Sequence, residues 1–219
     1  MLFPSLAGQP VARINLDDEA AHWLARRPAA PDAPNPLLDP AVCGQMIAEV
    51  HRREGADWSY GGYLEDRRRL WRGSYLEKSG AFIHLGVDFN VPRGTEFVAG
   101  FPAGIVVVDD DPDRDGGWGK RIILRPKMPG GDVLLIYAHL QNVRCRPGTH
   151  VPAGAVLAEV GGPPHNGNWH PHLHVQAIRR GLFEEILLER FSELDGYGRA
   201  EELDELRVSF PDPLPIVLA

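Results

Sequence analysis

At 219 residues the chain has room for one domain with extensions or two small ones, and it can bury a sizeable core. Its 43% hydrophobic and 24% charged residues are ordinary for a globular protein, and a net charge of -7 without a basic stripe argues against nucleic-acid binding. Cys43 and Cys145 stand far apart without CxxC spacing, which argues against a disulfide framework and a cysteine zinc site.

The opening MLFPSLAGQPVARINLDDEAAHW lacks a basic start and an apolar core of leader length. No apolar stretch of about 18 residues occurs, so a cytoplasmic location without membrane contact is expected. Residues 17–27 (DDEAAHWLARR) predict a short helix opened by acids and closed by arginines. The proline-rich stretch 27–40 predicts a linker, after which Asp39 as N-cap and Pro40 at the first helical position open a second helix to about Arg53. Trp58, Tyr60, Tyr63, Trp71 and Tyr75 are expected in core or edge packing more than along a groove. Arg67, Arg68 and Arg69, flanked by Glu65 and Asp66, read as a solvated face.

From about residue 81 the pattern changes to short β-type runs punctuated by Gly and Pro: AFIHLGVDF, TEFVAG, GIVVVDD, KRIILRP, DVLLIYAHL, AVLAEVG and HLHVQAI. Such spacing predicts a mainly β fold, a sandwich or open barrel. Glycines around the apolar runs of 148–161 predict a tight hairpin, and DDDPDRD at 109–115 with Gly116-Gly117 a long hairpin loop. Beyond Arg180 the acidic stretches FEEILLERFSELD and RAEELDELRV predict helices, followed by an extended PDPLPIV tail. The chain thus divides into an N-terminal extension (1–79), a β domain (80–180) and a helical C-terminal extension with its tail (181–219).

Seven of the nine histidines fall between 84 and 174. In HPHLHV, alternation on a strand points His172 and His174 to one face. HLGVD supplies His84 and Asp88, and a lone His139 stands in YAHL. A catalytic zinc wants three protein ligands and an open fourth position, a set that His84, Asp88 and His174 can supply. Without an HExxH motif, proton handling falls to other groups, and His139 and His172 are spare imidazoles suited to neutral pH. His22, His51, His150 and His165 are read as ordinary bonded or exposed histidines, while His170 stays open, since Pro171 can turn it away from the shared face.

HLGVD, YAHL and HPHLHV, in this order over about residues 80 to 180, resemble the signature of the LytM/lysostaphin-type zinc endopeptidases. The resemblance implies a twisted, mostly antiparallel sheet with a groove across it. It implies one zinc per chain on His84, Asp88 and His174, and a catalytic pair, His139 and His172, acting as general base and as stabiliser of the tetrahedral intermediate. The implied substrate is a peptide or amide, with cell-wall peptides as the family's usual targets. HNGNWHPHLHVQ and PDPLPIV further resemble a subgroup lying between a small-molecule kinase-like domain and an aminotransferase domain in large fused proteins. Two alternatives stay open: a metal-binding scaffold without catalysis, and a non-haem iron oxygenase using the same two histidines and carboxylate. A lipoyl-type carrier is disfavoured, because Lys78, Lys120 and Lys127 all lie outside the 148–161 segment.

Overall fold

The computed structural model describes residues 1–27, 30, 33–128, 132–189 and 194–218. Alternating apolar positions build one large sheet from β1 (Val11–Arg13), β2 (Trp58–Gly61), β4 (Val87–Asn90), β5 (Glu96–Val98), β6 (Ala103–Asp110), β7 (Lys120–Pro126), β8 (Val133–Gln141), β9 (His150–Val151), β10 (Val156–Val160) and β11 (Leu173–Arg179). The order is β1-β2-β4-β11-β8-β7-β6-β9, with β10 bridging β8 and β5. Apart from the parallel β1–β2 pair, the paired strands are antiparallel. The remaining strands, β3 (Ile83–His84) and β12 (Tyr197–Gly198), form a separate two-stranded ribbon.

β8 is central because its sequence, VLLIYAHLQ, is apolar on both faces. Leu135 and Tyr137 join Val87, Phe89, Ile122, Leu124, Val175 and Ala177 in the core on one face. Leu134 and Ile136 join Ile123, Ile178 and Phe183 on the other. That second face is covered by α3 (Arg180–Glu189) and α4 (Leu203–Ser209). Because side chains alternate, Asp88 on β4 and His174 and Gln176 on β11 share the second face with Ile178.

The N-terminal helices α1 (Leu16–Ala25) and α2 (Pro40–Glu54) build a core of their own from Leu16, Trp23, Leu37, Met46, Ile47 and Leu70. Trp169, from the loop before β11, is inserted into it. As the sequence predicts, Asp39 caps α2, accepting from the N–H groups of Ala41 and Val42 at 2.8 and 3.1 Å. The end of the proline-rich stretch is anchored, with Leu37 fully buried and the Asn35 amide donating to the Leu70 carbonyl at 2.9 Å.

Three expectations are corrected. The 148–161 segment is no hairpin: β9 pairs with β6, and β10 pairs with β5 and β8, so the Pro152–Ala155 turn joins two different neighbours. The PDPLPIV tail is not extended: Asp212 accepts from the Leu214 N–H at 2.9 Å in the turn that leads into a short α5 (Leu214–Val217), which buries Val217. Its prolines fall near the helix start, where no backbone donor is needed. Finally, Arg67 is no surface residue. It is fully buried between Glu65 and Asp88, while Arg68 and Arg69 keep their side chains exposed. Of the helix foreseen over 183–195, residues 183–189 lie in α3, Leu194 and Asp195 are not helical, and residues 190–193 lie outside the described residues. Cys43 and Cys145 are free thiols.

Candidate metal centre

His84, Asp88 and His174 form the one group of three close metal-ligating side chains among the described residues, and all three are buried. Asp88 and His174 are cross-strand partners in the β4–β11 ladder. His84 arrives from β3, which leaves the large sheet at Leu85-Gly86 and pairs with β12 instead. Gly86 makes this possible: a Cβ there would lie 2.6 Å from Cε1 of His174 and 2.7 Å from the Val175 carbonyl oxygen. The HxxxD spacing therefore works through a broken strand, not a regular one.

Three donor atoms face one another. His84 Nε2 lies 3.1 Å from His174 Nδ1 and 3.4 Å from Asp88 Oδ1, and His174 Nδ1 lies 3.0 Å from the same oxygen. The second nitrogen of each ring settles its tautomer. His84 Nδ1 donates to the Gly62 carbonyl at 3.0 Å, which leaves Nε2 with a lone pair. Gln176 donates its amide to the Asp195 carbonyl at 3.2 Å, so its oxygen accepts from His174 Nε2, and in the neutral ring the lone pair then lies on Nδ1, the atom that faces Asp88. Burial, and then the positive Arg67, push the His84 imidazole down to about 3, so this ring is neutral at physiological pH. Two lone pairs and a carboxylate oxygen at such separations repel unless a cation lies between them. Tetrahedral ligands at about 2.0–2.2 Å from zinc stand about 3.3–3.6 Å apart, close to the spacings found. The donor set fits the metal.

Asp88 is held as a carboxylate. Burial opposes its charge, but His84, Arg67 and His172 keep its carboxyl well below the usual range. Arg67 Nη1 donates to Asp88 Oδ2 at 2.6 Å, and its Nε donates to Glu65 at 3.2 Å. Burial pushes Glu65 up, against the pull of Arg67 and of the Asp17 N–H that donates to it at 3.0 Å.

The two further histidines reach the same cavity by different routes. His172 stands just before β11, and its Nδ1 donates to the His170 carbonyl at 2.7 Å, leaving Nε2 unprotonated 3.8 Å from Asp88 Oδ1. His139 sits on β8, where plain alternation would carry it to the face of Leu135 and Tyr137. A β-bulge intervenes: between paired positions Ile122↔Tyr137 and Lys120↔Leu140, β8 has one more residue than β7. His139 takes the left-handed φ of +66° there, and its ring comes to 4.5 Å from that of His172. Burial lowers both imidazoles. A side chain in the left-handed region is strained. His139→Gly should therefore be more stable than His139→Ala by about 1 kcal/mol. Urea unfolding of the two variants checks this, and equal stabilities would show that the bulge stores no strain.

Residues 82–183 match the family model described as peptidase family M23. This part of the chain is a peptidase family M23 domain. No curated protein matches the chain. Among solved structures it is similar to the catalytic domain of the antimicrobial peptidase lysostaphin from Staphylococcus simulans, with 22% identity over 63% of this chain and 81% of that one, at a TM-score of 0.44. Lysostaphin itself aligns with 23% identity over 62% of this chain and 44% of that one, at 0.43. A zinc-containing peptidase from Vibrio cholerae aligns with 24% identity over 45% and 28%, at 0.38.

The cavity beside the donor atoms, about 60 Å³, is lined by the M23 domain and by both flanking segments. His84, Asp88, His139, Trp118, Trp169, His172 and His174 come from the domain, Trp71 and Tyr75 from before it, and Asp195, Gly196 and Tyr197 from after it. The upstream aromatics divide. Trp58 and Tyr60 pack on Phe89 in the core, as read from the sequence, whereas Trp71 and Tyr75 face the cavity. His150 and His165 are exposed, and His51 pairs with the Ser59 hydroxyl at 2.9 Å. His170 lies outside the cavity lining, with its carbonyl fixing His172. Arg67, Gln176 and Tyr197 are the members that sequence reasoning missed. Gln176 alone carried a signal, two residues after His174 on the same strand face. No helix among the described residues is long and apolar enough to cross a membrane.

Proposed function

We propose that the chain is a zinc-dependent metallopeptidase that hydrolyses a peptide or amide bond in a short substrate. The observation that carries this reading is the convergence of three buried metal-ligating side chains beside two further imidazoles at one cavity. His84, Asp88 and His174 would hold a single zinc ion, which would act as a Lewis acid on the scissile carbonyl and acidify water. His172, oriented by the His170 carbonyl, offers Nε2 to take a proton from the attacking water and pass it to the leaving nitrogen. His139 Nδ1, buried with no partner among the described residues, is free to meet the oxygen that gains charge.

The substrate reading follows from the walls. Trp71, Tyr75 and Tyr197 stand around the donors and narrow the approach to them. Tyr75 also donates its hydroxyl to the Gly116 carbonyl at 3.3 Å, joining two loops beside the cavity. A short peptide or small amide suits this space better than an intact wall polymer. The test combines metal analysis of protein purified without added metal with digestion of short synthetic peptides and of intact peptidoglycan. One zinc per chain and cleavage of short peptides, lost with chelator and restored by zinc, are expected. Stoichiometric iron with little zinc, or no cleavage of any peptide, would overturn the assignment, and a preference for peptidoglycan would overturn the short-substrate part.

A further inference from the structure

Tyr197 lies outside the residues matched to the family, in the segment that follows α3. On β12 it is the cross-strand partner of His84, and the two rings are 5.2 Å apart. Its hydroxyl oxygen accepts two hydrogen bonds, from Trp71 Nε1 at 2.6 Å and from Arg67 Nη1 at 3.4 Å. A phenol oxygen has two acceptor positions and one proton. Both acceptor positions are thus filled by groups upstream of the family match, and the proton has no acceptor among the described residues. Tyr197 lines the cavity with the three donor side chains, so the cavity's contents are what that proton can bond.

We infer that Tyr197 is a further catalytic residue of the proposed peptidase, donating a hydrogen bond from its hydroxyl to the scissile carbonyl oxygen. Two donors, one of them cationic, draw electron density from the phenol oxygen and strengthen its O–H as a donor. As water adds to the carbonyl carbon, the C=O π pair moves onto oxygen and the tyrosine hydrogen bond tightens on the charge that forms there. When the C–N bond breaks, the carbonyl re-forms and the nitrogen leaves with a proton from His172. Tyr197 keeps its own proton throughout. Trp71 and Arg67 act through it as positioning residues. The flanking segments thus supply a polarised donor that the matched domain does not contain.

The inference rests on the metallopeptidase reading, and zinc content is therefore measured first. Acetohydroxamate is the probe, being small enough for the cavity and presenting an oxygen acceptor beside a metal-binding group. Calorimetric titration of the zinc-loaded full chain should give an affinity about 10- to 100-fold weaker in Tyr197→Phe than in the wild type, at equal zinc content. With the best-cleaved short peptide, kcat should fall about 10²- to 10³-fold and KM should change little. Equal probe affinity in Tyr197→Phe overturns the inference, and so does a loss of zinc, which would mark a purely structural role at the ligand set. Should Tyr197→Phe not fold, Trp71→Phe keeps the hydroxyl but removes its closer donor, and probe binding unchanged in that variant overturns the inference equally. If the wild type takes up no zinc, the metallopeptidase reading fails, and the role of Tyr197 falls with it.

Discussion

His174→Ala should lose most of its bound zinc together with all activity, while His172→Ala should keep the zinc and lose only turnover. The two rings sit two residues apart and line one cavity, yet their nitrogens are committed differently. His174 Nδ1 is 3.0 Å from Asp88 and 3.1 Å from His84, inside the donor triangle, with its other nitrogen fixed by Gln176. His172 Nε2 stands 3.8 Å from the carboxylate, outside that triangle. Removing a ligand leaves two donors and an open, repelling pair. Removing a proton carrier should slow hydrolysis by about 10²- to 10⁴-fold, and His139→Ala should do the same. Zinc content by mass spectrometry, measured beside peptide cleavage, decides the matter. Zinc lost from His172→Ala and retained in His174→Ala would reverse the assignment.

Arg67→Met should destabilise the zinc-free protein by about 3–5 kcal/mol, since one buried cation balances two buried carboxylates. Methionine fills much of the volume, but it leaves Asp88 and Glu65 without their shared partner. For a chain of this size the loss corresponds to a drop of about 6–20 °C in melting temperature. Zinc should restore part of it, because a metal on Asp88 replaces one of the two missing interactions while Glu65 stays unpaired. Thermal unfolding of both proteins with and without zinc reads this difference. A variant melting at the wild-type temperature would show that the buried pair contributes no net stability, and an equal deficit with and without zinc would separate Arg67 from the metal site.

Much of the candidate site was legible because two of its motifs report on neighbours along the chain. HxH on a strand puts two rings on one side, and HLGVD carries its own glycine for the close approach of His174. The rest depended on distant partners. Nothing around His139 announces that β8 carries an extra residue against β7, and without that bulge its ring belongs to the opposite face. Arg67 sits among acids and arginines like a surface residue. Its burial follows from Asp88, 21 positions onward, whose charge must be met inside. The glycines and proline near 148–161 correctly marked a turn, but a turn does not say which strands will receive its ends. Tyr197 lies in the Gly-Tyr-Gly break between two acidic stretches read as helices, where nothing in the residue pattern points to a strand, and β12 forms there as the partner of β3, once that strand has left the main sheet.

Trp169 has one side in the helical N-terminal core and its ring 4.9 Å from His172. Modularity in this chain is therefore shallower than a family boundary suggests. A graft of residues 82–183 alone would leave Trp169 stranded in water, strip β2 from the flank of β4 and deprive Asp88 of its counter-ion. A substitution among the packing residues of α1 or α2 should be felt, through the Trp169 indole, at the His172 imidazole.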